Sequence, residues 1–235
     1  MKALESRGIS KSFGGSRVLN KVSISVEAGE RRAIIGPNGA GKTTLFNLVS
    51  GILKPDEGEI FFFDKNITRI ATYKRAGLGI ARTFQKNNLL QELSIEDNLM
   101  LALRGRNNGA YMDELLKSFN LTDKKTLVIK KLSYGEQRQV EIMLALAQNP
   151  RLILLDEPTS GLSPVEAEIL TGIISSLSKD ITVVLIEHDM GVVFKLAEKV
   201  TVLHQGEVIC DGDKDYVRAN EKVKEVYMGT EEEAR

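Results

Sequence analysis

The sequence predicts an α/β protein: a mainly parallel sheet, a small antiparallel layer beside it, and a helical segment set into the chain. Three observations predict it. A glycine-rich loop, Gly36-Pro37-Asn38-Gly39-Ala40-Gly41-Lys42-Thr43-Thr44, joins the apolar run Arg32-Ala33-Ile34-Ile35 to the helical stretch Thr44-Leu45-Phe46-Asn47-Leu48-Val49. Beyond Pro150 buried-strand and amphipathic-helix patterns alternate, which argues for parallel strands joined by right-handed crossovers. Before the loop, short extended segments separated by turns suggest antiparallel pairing.

The elements follow in order. Residues 1–31 hold the extended segments, broken by the turns Phe13-Gly14-Gly15-Ser16 and Glu27-Ala28-Gly29-Glu30. A further strand, Glu59-Ile60-Phe61-Phe62-Phe63, is entered through Pro55-Asp56-Glu57-Gly58 and left through Asp64-Lys65-Asn66. From about Ser94 to Leu146 the pattern turns helical. Val140, Met143, Leu144 and Ala147 fall at i, i+3, i+4 and i+7 and make one apolar face, while Arg104 to Gly109 is a polar break. Leu152 to Leu155, Ile181 to Ile186 and Val200 to Leu203 read as strands, with a helix between the first two carrying Val165, Ile169, Ile173 and Leu177 on one face. No internal repeat or low-complexity tract interrupts this order, and Glu231-Glu232-Glu233-Ala234-Arg235 reads as a solvated tail.

Bulk properties exclude several classes. With 235 residues the chain suffices for one large α/β domain, or a core with a smaller lobe inserted. Lys plus Arg and Asp plus Glu are 32 each, so the global basic excess typical of phosphate-gripping nucleic-acid binders is missing. Ile181 to Ile186 typifies the longest apolar runs, far short of the roughly 18 residues needed to cross a bilayer. Met1 to Arg7 lacks the apolar core of a secretory signal. The single cysteine, Cys210, rules out an internal disulfide, fits a reducing compartment, and reads as a packed small residue near a strand end.

Two motifs carry chemistry. The glycine-rich loop fits G-x-x-x-x-G-K-[ST], whose curled backbone points successive N–H groups at phosphates while the following helix adds its positive end. A chance glycine-rich turn would not be expected to have both the strand and the helix in place. Lys42 would supply a point charge to the β- and γ-phosphates, and the Thr43 hydroxyl a ligand to Mg²⁺. The second motif, Arg151-Leu152-Ile153-Leu154-Leu155-Asp156-Glu157, puts two carboxylates at the carboxyl end of a buried strand, where open α/β sheets bind their ligands. Asp156 is placed to hold Mg²⁺, commonly through water, and Glu157 to take a proton from an attacking water.

Three more features complete an ordered set: Gln85 in Thr83-Phe84-Gln85, the helix start Leu132-Ser133-Tyr134-Gly135-Glu136-Gln137, and His188 directly after the strand ending at Ile186. With the phosphate loop and the Asp-Glu strand, this order strongly resembles the ATP-binding cassette family, the ATPase subunits that power ABC transporters. The resemblance covers almost the whole chain. It implies a phosphate-loop NTPase (RecA-like) core with a parallel sheet, an N-terminal antiparallel β subdomain, and an inserted α-helical subdomain. Residues 1–85 and 149–235 would then be core plus antiparallel layer, and 86–148 the helical subdomain with the signature.

The resemblance also implies roles. Phe13 looks like the aromatic that stacks on adenine, with Val18 nearby, and Asn38, Gly39, Ala40, Gly41, Lys42, Thr43 and Thr44 match the phosphate loop. Gln85 looks like the residue that touches Mg²⁺ and the attacking water while its loop senses the transmembrane partner. Ser133 and Gly135 resemble the signature residues that reach the γ-phosphate bound to an opposite subunit. His188 looks like the switch histidine that contacts the γ-phosphate and steadies Glu157, whereas His204 has no such place and reads as a strand-end surface residue. The implied cofactors are ATP and Mg²⁺. The implied partners are transmembrane permease subunits, a second cassette (a copy or a relative) and, for an importer, indirectly an external solute-binding protein, with the chain peripheral on the cytoplasmic face of the membrane. No nucleic-acid partner is expected.

Three positions, in two motifs, depart from the usual pattern. The common Leu-Ser-Gly-Gly-Gln signature has Tyr134 at its first glycine and Glu136 at its glutamine here, and Ser163 stands where many cassettes carry aspartate. Tyr134 is expected to point away from nucleotide. Gly77-Leu78-Gly79-Ile80-Ala81-Arg82-Thr83-Phe84-Gln85, the signature string, Glu187-His188-Asp189-Met190 and the ending Val226-Tyr227-Met228-Gly229 look like cassettes of branched-chain amino-acid importers and their relatives for urea or short amides. The stretch between Gln85 and Leu132 is short for the longer cassette of that branch. Lipid and lipopolysaccharide export cassettes share some of these strings, and a soluble single-cassette ATPase of cluster assembly stays open as well.

Overall fold

The computed structural model describes residues 1–83, 89–103 and 109–232. Strands β1 (Lys2–Phe13) and β2 (Ser16–Glu27) form an antiparallel hairpin, to which β4 (Glu57–Phe62) and the short β5 (Lys65–Asn66) add in the order β2-β1-β4-β5. The expected short segments are two strands of 12 residues each. Register shifts along the pair, with Gly8 and Lys21 at positive φ, let pairing continue where the polar alternation breaks.

The second sheet has six strands. β3 (Arg31–Ile35), β6 (Ile80–Arg82), β7 (Leu152–Asp156), β8 (Thr182–Ile186) and β9 (Lys199–His204) run parallel, and β10 (Glu207–Asp213) closes one edge antiparallel to β9. The strand order is β10-β9-β3-β8-β7-β6. β7 and β8 are buried at every residue, so they read as unbroken apolar runs rather than alternating ones. Cys210 is buried in β10, and His204 ends β9, half-buried.

Helices cover both faces of this sheet. α1 (Lys42–Ser50) lies between the two sheets, where Leu45, Phe46, Leu48 and Val49 pack with Ile9, Leu19 and Ile60 of one sheet and Ile34, Leu154 and Ile186 of the other. The opposite face, formed by Ala33, Ile35, Ile153, Leu155 and Leu185, carries a second core. That core takes in α3 (Ile95–Ala102), α4 (Gly109–Ser118), α5 (Tyr134–Leu146), α6 (Pro164–Ser176) and α7 (Met190–Leu196). α2 (Thr72–Leu78) leads into β6, and α8 (Lys214–Ala219) and α9 (Glu221–Glu232) end the described chain.

The face predicted for α5 is the buried one: Val140 and Met143 are fully inside, with Leu144 and Ala147 packed on the same core. For α6 the stripe is different. Leu170, Thr171, Ile173 and Ile174 are buried, whereas Val165 and Ile169 are exposed. A row taken every fourth residue advances about 400° against a 360° turn, so it winds round the helix and only its far end meets the sheet.

Candidate functional site

The glycine-rich loop leaves β3 at Gly36 and enters α1 at Lys42, at the carboxyl edge of the parallel strands. Two of its glycines are required sterically. A Cβ on Gly36 would overlap the carbonyl oxygen of Leu203, and one on Gly41, which has φ +100°, would lie 2.9 Å from the Val18 carbonyl oxygen. Lys42 is buried, and its ammonium donates to the carbonyls of Gly36 (2.6 Å) and Pro37 (2.9 Å). Burial pulls the Lys42 pKa down, against the pull of the Glu157 and Asp156 carboxylates. Asn38, Gly39 and Thr43 are exposed, Thr44 is half-buried, and Ala40 and Gly41 are buried.

Sheet register brings the carboxylates to the same level. Ile34 pairs with Ile186, and Ile186 with Asp156, so β7 ends two strands away from the start of the loop. Asp156 is fully buried. Its Oδ2 accepts from Arg82 Nη2 (2.9 Å), and Arg82 also donates to Asn47 Oδ1 (2.6 Å) and Ser50 Oγ (3.2 Å) on α1. The second oxygen, Oδ1, has no hydrogen-bond partner among the described residues. Burial raises the Asp156 pKa, and the hydrogen bond and charge of Arg82 oppose it.

Glu157 leaves the sheet with φ +49°, a left-handed conformation that costs a side-chain-bearing residue on the order of 1–3 kcal/mol. Its N–H donates to the Ile186 carbonyl (2.9 Å), and its own carbonyl accepts from Arg138 Nη2 (3.0 Å). His188, just past β8, donates from Nε2–H to Glu157 Oε1 at 2.5 Å. The intervening Glu187 is buried and accepts from the Thr159 N–H (2.9 Å), the Thr159 hydroxyl (2.6 Å) and the His188 N–H (3.1 Å). One buried carboxylate thus ties the segment after Glu157 to the base of the histidine.

At the start of α5, Ser133 is the N-cap. Its hydroxyl accepts from the Glu136 N–H (3.2 Å), and Glu136 accepts from the Ser133 N–H (2.9 Å), a reciprocal capping box. Burial works against ionised Glu136, but the Lys124 ammonium and that N–H hold its carboxyl below the ordinary range. Glutamate at this departure position therefore has a structural reason. Glu166 of α6 sits against the same helix start: Ser133 Oγ donates to its Oε1 (3.4 Å), and a Cβ on Gly135 would lie 2.5 Å from that oxygen. Ser163, the other departure, caps α6 and donates its hydroxyl to Glu166 (2.7 Å). Tyr134 is exposed, and its ring edge packs over Gly161.

Lys42, Thr43, Asp156, Glu157 and His188 therefore gather at one edge of the sheet. Val18 borders the loop through its carbonyl, and Phe13 lies half-exposed at the tip of the same hairpin, with Lys11 Nζ 5.5 Å from its ring centre. Ser133 and Gly135 do not join them, because α5 and α1 pack on opposite faces of the sheet. Gln85 lies outside the described residues. Sequence reasoning missed Arg82, Arg138 and Glu187. Only Arg82 had a readable signal, a basic residue ending a short strand in a chain whose other strand ends in acids.

Comparison with known proteins agrees on one family. The profile of the family described as ABC transporter matches residues 19–160. The chain is similar to the high-affinity branched-chain amino acid transport ATP-binding protein BraF of Pseudomonas aeruginosa, 34% identical over 248 residues, covering 96% of this chain and 97% of the relative. It is also similar to the lipopolysaccharide export system ATP-binding protein LptB of Escherichia coli, 35% identical over 236 residues, covering 97% and 98%. Among solved structures, the ADP conformation of MJ1267, an ATP-binding cassette of an ABC transporter, superposes with a TM-score of 0.87 at 32% identity, covering 97% of this chain and 99% of the other.

Proposed function

Since the chain belongs to the ABC transporter family, as one of its ATPase subunits, we propose that it drives transport by closing against a second cassette around ATP, with Glu157 as the base. The observation that carries this reading is the Glu157–His188 contact beside Asp156 and the phosphate-loop lysine. Asn38 to Thr44 would cradle the phosphates, with Lys42 turning from its loop carbonyls to them. Phe13 and Val18 would flank the base of the nucleotide. Glu157 would accept the proton of the attacking water while His188 keeps its carboxylate aimed, and Gln85 would position that water. ATP-dependent closure converts differential affinity for the closed state into work, and loss of the γ-phosphate releases it.

Mg²⁺ fits the same reading. A buried carboxylate oxygen with no hydrogen-bond partner among the described residues, Asp156 Oδ1, suits a cation or its water, and Thr43 is exposed in the first turn of α1. Among the described residues no cluster of three His, Cys, Asp or Glu could hold a metal, so the phosphates themselves would share in binding it, with Thr43, Asp156 and Gln85. When bound, the cation neutralises phosphate charge.

The need for a second cassette rests on the two faces of the sheet. Ser133 and Gly135 form a helix N-terminus suited to an anion, yet they lie across the sheet from their own phosphate loop. Only another subunit's γ-phosphate would reach them. The division into a core of 1–85 and 149–235 and a helical part of 86–148 belongs to this proposal, supported by α3, α4 and α5 following one another with no strand between them among the described residues. No described helix is long and apolar enough to cross a membrane, so attachment to the cytoplasmic face would run through permease subunits. Leu90, held to α3 through Asn98 (3.0 Å), offers such a contact together with exposed Met100 and Leu101.

For cargo, we infer import of branched-chain amino acids or related small polar solutes, supported by the branch-like strings and the likeness to BraF. The likeness to LptB favours lipid or lipopolysaccharide export as the second reading. The test of the mechanism is Glu157→Gln: ATP should trap a dimer on size exclusion, and hydrolysis at the parent rate would sink the assignment. Affinity purification from detergent-solubilised membranes then separates the cargo readings. Amino-acid permeases would support import, export permeases the second reading, and exclusively soluble partners would overturn both.

A further inference from the structure

We propose that Arg138 is a positioning residue that locks the catalytic glutamate to the signature helix; the proposal rests on the reading of Glu157 as the base. Arg138 stands on the second turn of α5, buried, five residues beyond the cap Ser133. Its guanidinium serves three consecutive carbonyls: Nη2 donates to Asp156 (2.8 Å) and Glu157 (3.0 Å), and Nε to Pro158 (3.2 Å). Nη1 donates to Glu141 Oε2 (2.6 Å) on the same helix, which fixes the plane of the fork.

These carbonyls lie where the β7–β8 ladder ends, at the pair Asp156–Ile186. Past that point the chain turns into the positive-φ conformation of Glu157, and such a conformation persists only where its surroundings over-determine it. The Glu157 N–H is held from β8 and its carbonyl from α5, so the peptide groups on both sides are pinned. Released from Arg138, the residue can relax toward negative φ, which swings the carboxylate away from His188. A lysine cannot replace the fork, because its donors radiate from one nitrogen and cannot span three acceptors in a plane.

The helix that bears Arg138 is also the one whose first turn would meet the opposite subunit's phosphate. Arg138 therefore makes the aim of one subunit's Glu157 depend on how its own α5 is seated, which links the two sites of a dimer. A misaimed base is worth about 10²-fold in rate, whereas nucleotide affinity, set by the phosphate loop, should not change.

The test uses the full chain carrying Arg138→Lys, Arg138→Met or Glu141→Gln, with Glu157→Gln alone and combined with Arg138→Lys. Arg138→Lys is expected to keep its melting midpoint and fluorescent-ATP affinity within twofold while kcat falls about 10²-fold at nearly constant KM. Arg138→Met should fall as far, and Glu141→Gln, which only loosens the fork, by a few fold. The combined variant should still form the ATP-trapped dimer. Arg138→Lys turning over at the parent rate overturns the proposal, as does a kcat loss matched by equal loss of nucleotide affinity. Should Arg138→Met not fold, the lysine and Glu141 variants decide alone. If Glu157→Gln itself hydrolyses ATP normally, the base assignment has failed instead.

Discussion

Removing Arg82 should cost the fold far more than an average substitution, and the loss should be recoverable at one other position. The Arg82–Asp156 pair is almost wholly buried, with side-chain exposures of 7% and 1%. Substituting Arg82→Met leaves a carboxylate inside the protein with neither of its oxygens satisfied by the described residues. Breaking a buried pair from one side costs about 3–5 kcal/mol. The hydrogen bonds from Arg82 to Asn47 and Ser50 are lost as well, which places the expectation at about 4 kcal/mol or more. For a domain of this length that corresponds to a melting shift of about 8–16 °C. Neutralising the stranded group in Arg82→Met/Asp156→Asn should return at least about 2 kcal/mol relative to the single arginine variant, because the desolvated charge is gone. Urea denaturation of the parent, Arg82→Met, Asp156→Asn and the double variant in chelator, with no nucleotide, measures the cycle. A loss below about 1 kcal/mol for Arg82→Met, or additive effects in the double variant, would refute the view that Arg82 exists to hold Asp156 ionised in the core.

Other substitutions separate binding from chemistry. Lys42→Ala should abolish productive ATP binding, since the loop then lacks its only inward ammonium among the described residues; unchanged affinity and turnover in a fluorescent-ATP titration and phosphate-release assay would exclude that role. Tyr134→Gly should leave turnover within a few fold, because the ring lies exposed over Gly161 rather than in the phosphate loop. A large loss of phosphate release would show that the tyrosine orders the segment after Glu157 in a way its exposure hides.

What was legible in the sequence were features carried by local patterns. The phosphate loop announces itself because curling a backbone around an anion demands glycines at fixed offsets, and Gly36 and Gly41 are those with no room for a side chain. β7 announces itself because a strand covered on both faces has no polar alternation. The length of β1 and β2 was not legible, since bulged antiparallel strands with one wet face break their own alternation. The turn of α6 was misread for a geometric reason, the winding of a four-residue row. The supporting residues Arg138 and Glu187 were invisible because each acts on backbone or side-chain groups 18–20 or 28 residues away in sequence, and their partners carry no compositional mark. Long-range polar contacts of this kind exist only once the sheet has assembled.

The placement of these invisible residues follows a physical logic. A carboxylate that is to act as a base must project from the end of a buried strand, where the ladder stops and peptide groups lose their partners. Water would satisfy those groups but would also let the base wander. Arg138 satisfies the carbonyls from one side, and Glu187 takes the Thr159 N–H, its hydroxyl and the His188 N–H from the other. Both clamps are charged side chains buried among their hydrogen-bond partners, so the backbone just after β7 is held by protein groups rather than by water, while Ser160 and Gly161 beyond it are exposed. Such a frame holds one φ-positive glutamate in register between a histidine on β8's exit and a helix whose first turn, on the proposed reading, would meet the phosphate of a second cassette. Completing the site by association, rather than by a lid, would then follow from putting the loop helix and the signature helix on opposite faces of one sheet.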